Sequence, residues 1–440
     1  MLLVKALRFL FYYSLSIYSS TVLATGSGSG SLFKTMTDSS FEYSKISVNG
    51  WIEATALNAS DTLDGELSNG AFFNQKDGIR LNQAGLMLCR GVGCLPTATF
   101  PPSQNLLSRI GPLPGPVGEL EIGFNVTAVY GEDSQFLRTA GIDDYTFDDD
   151  KDNKLAIPQF YIDAYLPVFG GMTVIAGSFF TSTGNEIGLP FTPPNWFATH
   201  TYAMQHAPSK HVGVLTGIKI PTSDAFGLLS VDLGLVGGWN NWDERRPTVI
   251  GATRWRSNDM ATWLDIELIY GDGEGDAFGP AKGGSPYLVA STNGEKRQRL
   301  HSSATLTHNV NPDTQISAEL TYGSQKGGDI APAPVFIVED SKWYGANLAT
   351  RFKVSEELHT GVRAEWFNDE KAANILWRST GATGGSVYSL TANLDWSLNP
   401  HLRIRPEIRY DKYEGDGAGL FAGGKSDQQF IALINAVTYF

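Results

Sequence analysis

An all-β fold, a transmembrane antiparallel up-and-down barrel of about sixteen strands, follows from three observations. The first is a chain that alternates apolar and polar residues over segments of about ten residues. The second is an N-terminal stretch with the features of an export signal. The third is an alternating last strand, Phe430-Ile431-Ala432-Leu433-Ile434-Asn435-Ala436-Val437-Thr438-Tyr439-Phe440, that stops on an aromatic residue. Such an end is expected to be read by the barrel-assembly machinery, although Thr438 stands where a second aromatic is common.

Residues 1–24 read as a signal peptide, with Lys5 and Arg8 at the positive end, an apolar stretch from Phe9 to Leu23, and Val22-Leu23-Ala24 as the cleavage site. An uncleaved anchor is the alternative, but Ser14, Ser16, Ser19 and Ser20 weaken it as a span of ~20 apolar residues. Residues 25–45 form an N-terminal tether, Gly/Ser-rich from Gly26 to Ser31, and residues 46–440 the barrel. No other segment is long and apolar enough for a membrane helix.

The alternation is plainest near the C-terminus. Tyr388, Leu390, Ala392, Leu394 and Trp396 face one way, with Ser389, Thr391, Asn393 and Asp395 opposite. Leu402, Ile404, Ile408 and Tyr410 oppose Arg403, Arg405, Glu407, Arg409 and Asp411. Strands are expected over 46–57, 80–88, 117–130, 155–166, 171–180, 209–221, 226–239, 248–256, 260–271, 298–309, 313–324, 341–353, 357–368, 386–398, 401–412 and 428–440. A soluble sandwich alternates as well. Short turns, such as Pro221-Thr222-Ser223-Asp224 and Leu398-Asn399-Pro400-His401, exchange regularly with long Gly/Asp-rich loops, which is the periplasmic/extracellular asymmetry of outer-membrane barrels. Trp51, Trp239, Trp242, Trp255, Trp343, Trp366 and Trp396 lie near predicted strand ends and suit an interfacial girdle; Trp51 and Trp242 fit an inward position equally well.

The formal charge is −13, and loss of Lys5 and Arg8 takes it to about −15. That balance excludes nucleic acid as a partner. It suits acidic loops bridged by cations to lipid and lipopolysaccharide. Cys89 and Cys94 are the two cysteines; in an exported chain a disulfide is expected, closed over Gly91 and Gly93. They open a proline-rich insert, residues 89–116, where a short periplasmic turn is expected. Zinc would need further ligands nearby. Asp148-Asp149-Asp150-Lys151-Asp152-Asn153 and Gly271-Asp272-Gly273-Glu274-Gly275-Asp276 lack the glycine and distal glutamate of an EF-hand and read as solvated loops.

A barrel of this size leaves an aqueous lumen, and such a lumen needs a constriction to select anything. Residues 181–208, rich in proline and aromatics, are too apolar for an exposed loop. They are expected to fold inward as a constriction loop; a lid over the mouth is the alternative. Strand parity places Lys219, Arg254, Arg351, Arg363, Arg403, Arg405 and Arg409 inward, with Glu53, Glu121, Asp163, Glu267, Glu319, Glu365 and Glu407. Candidate pore-lining residues are Glu186, Arg351, Arg363, Arg403, Arg405, Arg409, Glu365 and Glu407. If the loop sets Glu186 against the arginines, a transverse field crosses the constriction; interstrand salt bridging is the plainer role. No G-x-S-x-G elbow and no H-E-x-x-H helix occurs, and the seven histidines are scattered. No catalytic, cofactor or metal site is expected.

Several short strings resemble the OmpL-like putative beta-barrel porin family: Val48-Asn49-Gly50-Trp51-Ile52-Glu53, Leu81-Asn82-Gln83, Tyr130-Gly131-Glu132-Asp133-Ser134-Gln135-Phe136, Pro158-Gln159-Phe160-Tyr161-Ile162-Asp163, His211-Val212-Gly213-Val214, Gly237-Gly238-Trp239-Asn240-Asn241-Trp242-Asp243, Arg363-Ala364-Glu365-Trp366-Phe367, and Leu402-Arg403-Ile404-Arg405-Pro406-Glu407-Ile408-Arg409-Tyr410-Asp411. The resemblance covers nearly all of the chain after the signal; the insert departs from it. It implies an outer-membrane channel through which small polar solutes or ions diffuse, a possible homotrimer, and no cofactor. A closed barrel with a structural or adhesive role is the alternative, to be decided by whether the third loop leaves an open eyelet. A TonB-dependent transporter would need a plug domain and about 22 strands.

The Cys89–Cys94 bridge closes only a small loop. A Cys89→Ser, Cys94→Ser double variant is expected to refold to the same heat-modifiable barrel on gels; loss of folding would contradict this.

Overall fold

The computed structural model describes residues 46–63, 67, 77–90, 119–139, 141–143, 153–181, 183–186, 188, 190, 195–223, 225–237, 242, 247–272, 298–326, 328–330, 336–338, 340–370 and 382–440. The signal peptide, the tether, Cys94 and nearly all of the 89–116 insert fall outside them. Cys89 is disulfide-bonded and buried.

The strands are β1 (Ile46–Ala59), β2 (Gly78–Arg90), β3 (Glu121–Gly131), β4 (Lys154–Leu166), β5 (Met172–Phe180), β6 (Lys210–Ile220), β7 (Leu228–Gly237), β8 (Pro247–Arg256), β9 (Thr262–Asp272), β10 (Gln298–Asn311), β11 (Thr314–Gln325), β12 (Gly328–Ile330), β13 (Phe336–Val338), β14 (Ser341–Lys353), β15 (Leu358–Asp369), β16 (Ala382–Asn399), β17 (Leu402–Gly417) and β18 (Gln428–Tyr439). Two short helices sit in loops, α1 (Ser134–Leu137) and α2 (Tyr202–His206). β12 and β13 pair with each other in one loop. The other sixteen strands close a single antiparallel barrel, each beside its neighbours in sequence. Every strand expected from alternation is present.

Closure is made by β1 and β18, which pair from Trp51↔Tyr439 to Ala59↔Ile431. A closed sheet has no edge, so the backbone of every strand is satisfied within the wall, the condition for lying in lipid. The outer wall is apolar: Phe160, Ile162, Leu233, Leu235 and Leu320 are each more than 60% exposed. No helix among the described residues is long and apolar enough to cross a membrane, and strands are the elements that carry this surface. Direct turns such as Asn311-Pro312-Asp313-Thr314 gather at one end of the barrel, and most of the longer connections at the other.

Trp366 donates to Ser386 Oγ (3.2 Å) near the long-loop end. Trp255 donates to the Phe226 carbonyl (2.6 Å), and Trp396 is half-exposed, both near the short-turn end. These three suit an interfacial girdle. Trp51 and Trp343 do not: both point inward and are 1% exposed. Each indole lies across a glycine on the facing strand. A Cβ on Gly85 would stand 2.0 Å from Trp51, and one on Gly323 2.0 Å from Trp343. Inward tryptophans thus replace part of the expected belt, because glycine partners make room for them.

Polar-in alternation also fails in three inward patches. Tyr161, Ile175, Phe179, Leu215, Val236, Ile250 and Ile269 form one apolar cluster on β4–β9. Ile431 and Leu433 on β18 join Leu57 in another, and Phe367, Val387 and Tyr413 pack in a third.

Candidate functional site

In the connection between β5 and β6, residues 181–209, the described residues fold into the barrel. Its course is fixed by contacts with opposite walls. The Gly184 N–H donates to Glu267 Oε2 (2.8 Å) on β9 and to Ser303 Oγ (3.1 Å) on β10. Asn185 donates to Ser317 Oγ on β11 (3.0 Å). Glu186 then meets Arg363 on β15, Nη1 to Oε1 2.8 Å. The Gly188 carbonyl accepts from Gln83 on β2 (3.0 Å). The segment therefore spans the lumen rather than hugging one side.

The return path runs down the C-terminal wall. Arg405 Nη1 donates to the Asn195 and Phe197 carbonyls (3.2 and 3.1 Å), and Asn393 donates to the Trp196 carbonyl (2.7 Å). Glu407 accepts the Ala198 and Thr199 N–H groups (2.7 and 2.9 Å) and the Thr199 hydroxyl. Arg409 donates to the His200 carbonyl, and Glu365 accepts the Ala203 N–H (3.2 Å). Thr201 caps α2 by accepting from Met204 N, and donates through its own N–H and hydroxyl to Glu186 Oε2 (both 2.8 Å). An irregular backbone held away from water must have its donors and acceptors matched; here charged side chains of the wall match them.

The same side chains are matched among themselves. Arg405 also reaches Glu53 (3.2 Å) and Asn435 (2.7 Å), and Arg409 reaches Asp411 (2.8 Å) and Ser389 (3.0 Å). Two guanidinium groups sit on loop aromatics, Arg363 over Phe197 at 4.7 Å and Arg409 over Tyr202 at 5.0 Å. Burial by itself would raise the Glu186 carboxyl. Arg363, His200 and the Thr201 N–H together hold it at about 2.

Apolar packing completes the anchorage. Trp196 and Phe197 meet Ala349; Ala198 meets Leu57, Leu67, Ile431 and Leu433; Tyr202 and Ala203 meet Trp343, Phe367, Val387, Tyr413, Leu420 and Phe421. α1 also turns inward, with Phe136 and Leu137 packed near Phe180. The buried pair Lys210 Nζ–Asp143 Oδ2 (2.8 Å) ties the β3–β4 connection to the root of β6. A small cleft remains between loop and wall, lined among others by Glu53, Asn82, Gln83, Asp133, His200 and Arg405. Burial, and next the Glu53 carboxylate, push the Asp133 carboxyl well above its ordinary range, although the Gln83 and Asn82 amides donate to it.

Six of the eight residues singled out from sequence thus meet at the loop: Glu186, Arg363, Glu365, Arg405, Glu407 and Arg409. Arg351 and Arg403 meet a wall carboxylate. They share Asp395 nearer the short-turn end, Arg351 at 3.3 Å. The choice of charged candidates left out Asn393, which parity had placed on the polar face of its strand, Asn435 on β18, and Thr199 on the loop itself, where parity does not apply. It also gave no part to Asp232 and Asp265, which with Glu267 surround Arg254 on the opposite wall (2.8, 3.6 and 3.1 Å). Both aspartates alternate with apolar residues on their strands, and that is the signal that would have placed them.

A closed sixteen-strand barrel with a long loop folded across its lumen defines a channel-type barrel. The chain belongs to the family described as putative beta-barrel porin-2, OmpL-like, whose model matches residues 45–440. No curated protein matches the chain in sequence. Among solved structures it is similar to the outer membrane channel DcaP of Acinetobacter baumannii (TM-score 0.53, 10% identity, 90% of this chain and 97% of that one). It is similar also to the anion-selective porin from Comamonas acidovorans (0.51, 10%, 90% and 99%). Salmonella typhi OmpF, in a complex with daunomycin, matches to the same degree (0.51, 9%, 90% and 97%). At such identities these likenesses concern the fold.

A carboxyl held low in the docked loop stabilises that state while ionised, above the ordinary value of 4.5, and stops doing so as pH falls toward about 2. Glu186→Gln is expected to show at about pH 6 the fluctuating single-channel current that the unaltered protein shows only below about pH 3. Equal acid dependence in both proteins would contradict the assignment.

Proposed function

We propose that this porin lies in the bacterial outer membrane and passes small polar solutes or ions by diffusion. Selection is by the width left beside the 181–209 loop and by the charges of the lumen wall. The observation that carries this is the loop itself, pinned across a closed barrel by Arg363, Arg405, Arg409 and Glu407. Diffusion needs no catalytic group, and the protein acts as a channel rather than an enzyme. Its surroundings are outer-membrane lipid and lipopolysaccharide around the apolar wall. Export through a cleaved signal peptide and delivery of β18 to the barrel-assembly machinery precede insertion. A homotrimer is a natural assembly for it, and no nucleic acid is involved.

One observation favours the second reading, a closed barrel with a structural or adhesive role. Inward side chains are buried on both walls: Arg254 and Ile250 are 1% exposed, Arg409 and Ile431 0%. Residues 420 and 421 cover the loop from one side and Leu67 from another.

The deciding experiment is single-channel recording of the refolded mature chain in a planar bilayer under a salt gradient. Stable, stepwise currents are expected, with a reversal potential that reports the dominant wall charge. A folded barrel that carries no current would overturn the channel reading in favour of the closed one.

A further inference from the structure

The connection between β17 and β18, residues 418–427, bends into the barrel at the long-loop end. Leu420 and Phe421 are both 0% exposed. They share one apolar cluster with Tyr202 and Ala203 of α2 and with Trp343, Phe367, Val387 and Tyr413 of the wall. The turn that presents them is shaped by its own backbone. Phe421 N donates to the Ser426 carbonyl (2.9 Å), and the Phe421 carbonyl accepts from Gly424, Lys425 and Ser426 (3.0, 3.0 and 3.1 Å). Gly419 N donates to the Gly424 carbonyl (3.0 Å). Ala422, Gly423 and Gly424 all take left-handed φ (51°, 64° and 90°), which folds the tip back on itself. The turn is thus a preformed unit with two large apolar side chains on its inner face.

Its seat differs in kind from that of the 181–209 loop. The loop is fixed by ion pairs and charged hydrogen bonds, and breaking one of those strands a buried charge. Leu420 and Phe421 are seated by apolar burial, which is non-directional and can be left and regained without that penalty. The base of the turn suits a swing. Gly417, at φ 86°, ends β17. The pairing of β16 with β17 shifts register between Ala382 and Gly385, just where the turn departs. On the other side, the Asp427 carbonyl accepts from Tyr413 N (2.7 Å) and marks the start of the regular ladder. We infer that residues 418–427 are a hinged lid, shut in this structure, whose opening uncovers α2 and the lumen beside it. This rests on the channel reading. It makes the filled barrel and the conducting barrel two states of one protein. Shutting buries Leu420 and Phe421 over the loop's return arm; opening moves both toward solvent about Gly417 and Asp427. Lid motions of this kind are slow enough to appear as steps in a single-channel current.

The test joins single-channel recording to thiol modification of the full refolded barrel. The unaltered protein is expected to show discrete closures of its current. In a Leu420→Ala, Phe421→Ala double variant the shut state loses its buried side chains, so closed time falls by at least about tenfold. Ala203→Cys places a thiol beneath the lid, at a position that is 4% exposed. Cys89 is disulfide-bonded and does not compete for the reagent. A charged thiol reagent is expected to modify Ala203→Cys slowly with the lid intact, and at least about tenfold faster with both lid side chains truncated. Phe421→Leu, with a smaller effect in the same direction, serves if the double variant does not fold. No modification of Ala203→Cys with the lid intact would mean a fixed plug and overturn the lid, as would equal rates in the two backgrounds. A current without closures that truncation leaves unchanged would overturn it too. A barrel that carries no current removes the channel reading and leaves the modification rates to decide the lid.

Discussion

Glu407 stands on the inward face of β17 and accepts two consecutive backbone N–H groups and a hydroxyl from a segment with little secondary structure of its own. The constraint it answers governs the whole lumen. A strand satisfies its backbone through its neighbours, but an irregular loop inside a barrel has no ladder to join. Each of its exposed amides and carbonyls must meet a side chain of the wall, and an unmet group costs about 1–3 kcal/mol. The β15–β18 wall meets the need with carboxylates for donors and guanidinium groups for acceptors.

That exchange explains a feature that looks wasteful. Lumen arginines in a water-filled pore would be exposed and available to solutes. Here Arg363, Arg405 and Arg409 are at most 2% exposed and spend their donors on loop carbonyls, wall carboxylates and amides. Breaking one such pair strands the other charge, which is why buried ion pairs resist single substitutions poorly. The arginine cluster acts first as the loop's foundation. Any field it presents to a passing ion is what remains after Glu186, Glu407 and Asp411 have been subtracted.

The sixteen barrel strands and their topology were legible in the sequence because lipid on one side and polar groups on the other impose a period of two, while some ends shifted, β17 running to Gly417 rather than 412. The inward position of the charged candidates followed from the same parity. What parity could not give is which of them meet. Arg403 and Arg405 are neighbours on one face of β17, yet Arg405 binds the loop and Arg403 binds Asp395; the difference lies in the height at which the loop crosses. The inward apolar patches were hidden for a related reason. Phe430 to Leu433 reads as apolar on both faces, which marks a strand buried on both sides. That run belongs where Ala198 and Leu67 cover Ile431 and Leu433. Trp343 was misplaced in the girdle because its partner, Gly323, is distant in sequence and carries the only local hint that a ring lies over it.

The claim on which the account rests is that the 181–209 loop sets the free cross-section of the barrel. Phe180 and Lys210 are direct partners across β5 and β6, and Thr181 N donates to the Ser209 carbonyl just beyond them, so a short Gly/Ser turn can replace residues 182–208 at the end of that hairpin. The most direct measurement is the single-channel conductance of that deletion beside the full chain. The account predicts a barrel of unchanged strand content whose conductance rises severalfold. An unchanged conductance in a folded deletion would contradict it, and would place the limiting constriction elsewhere in the lumen.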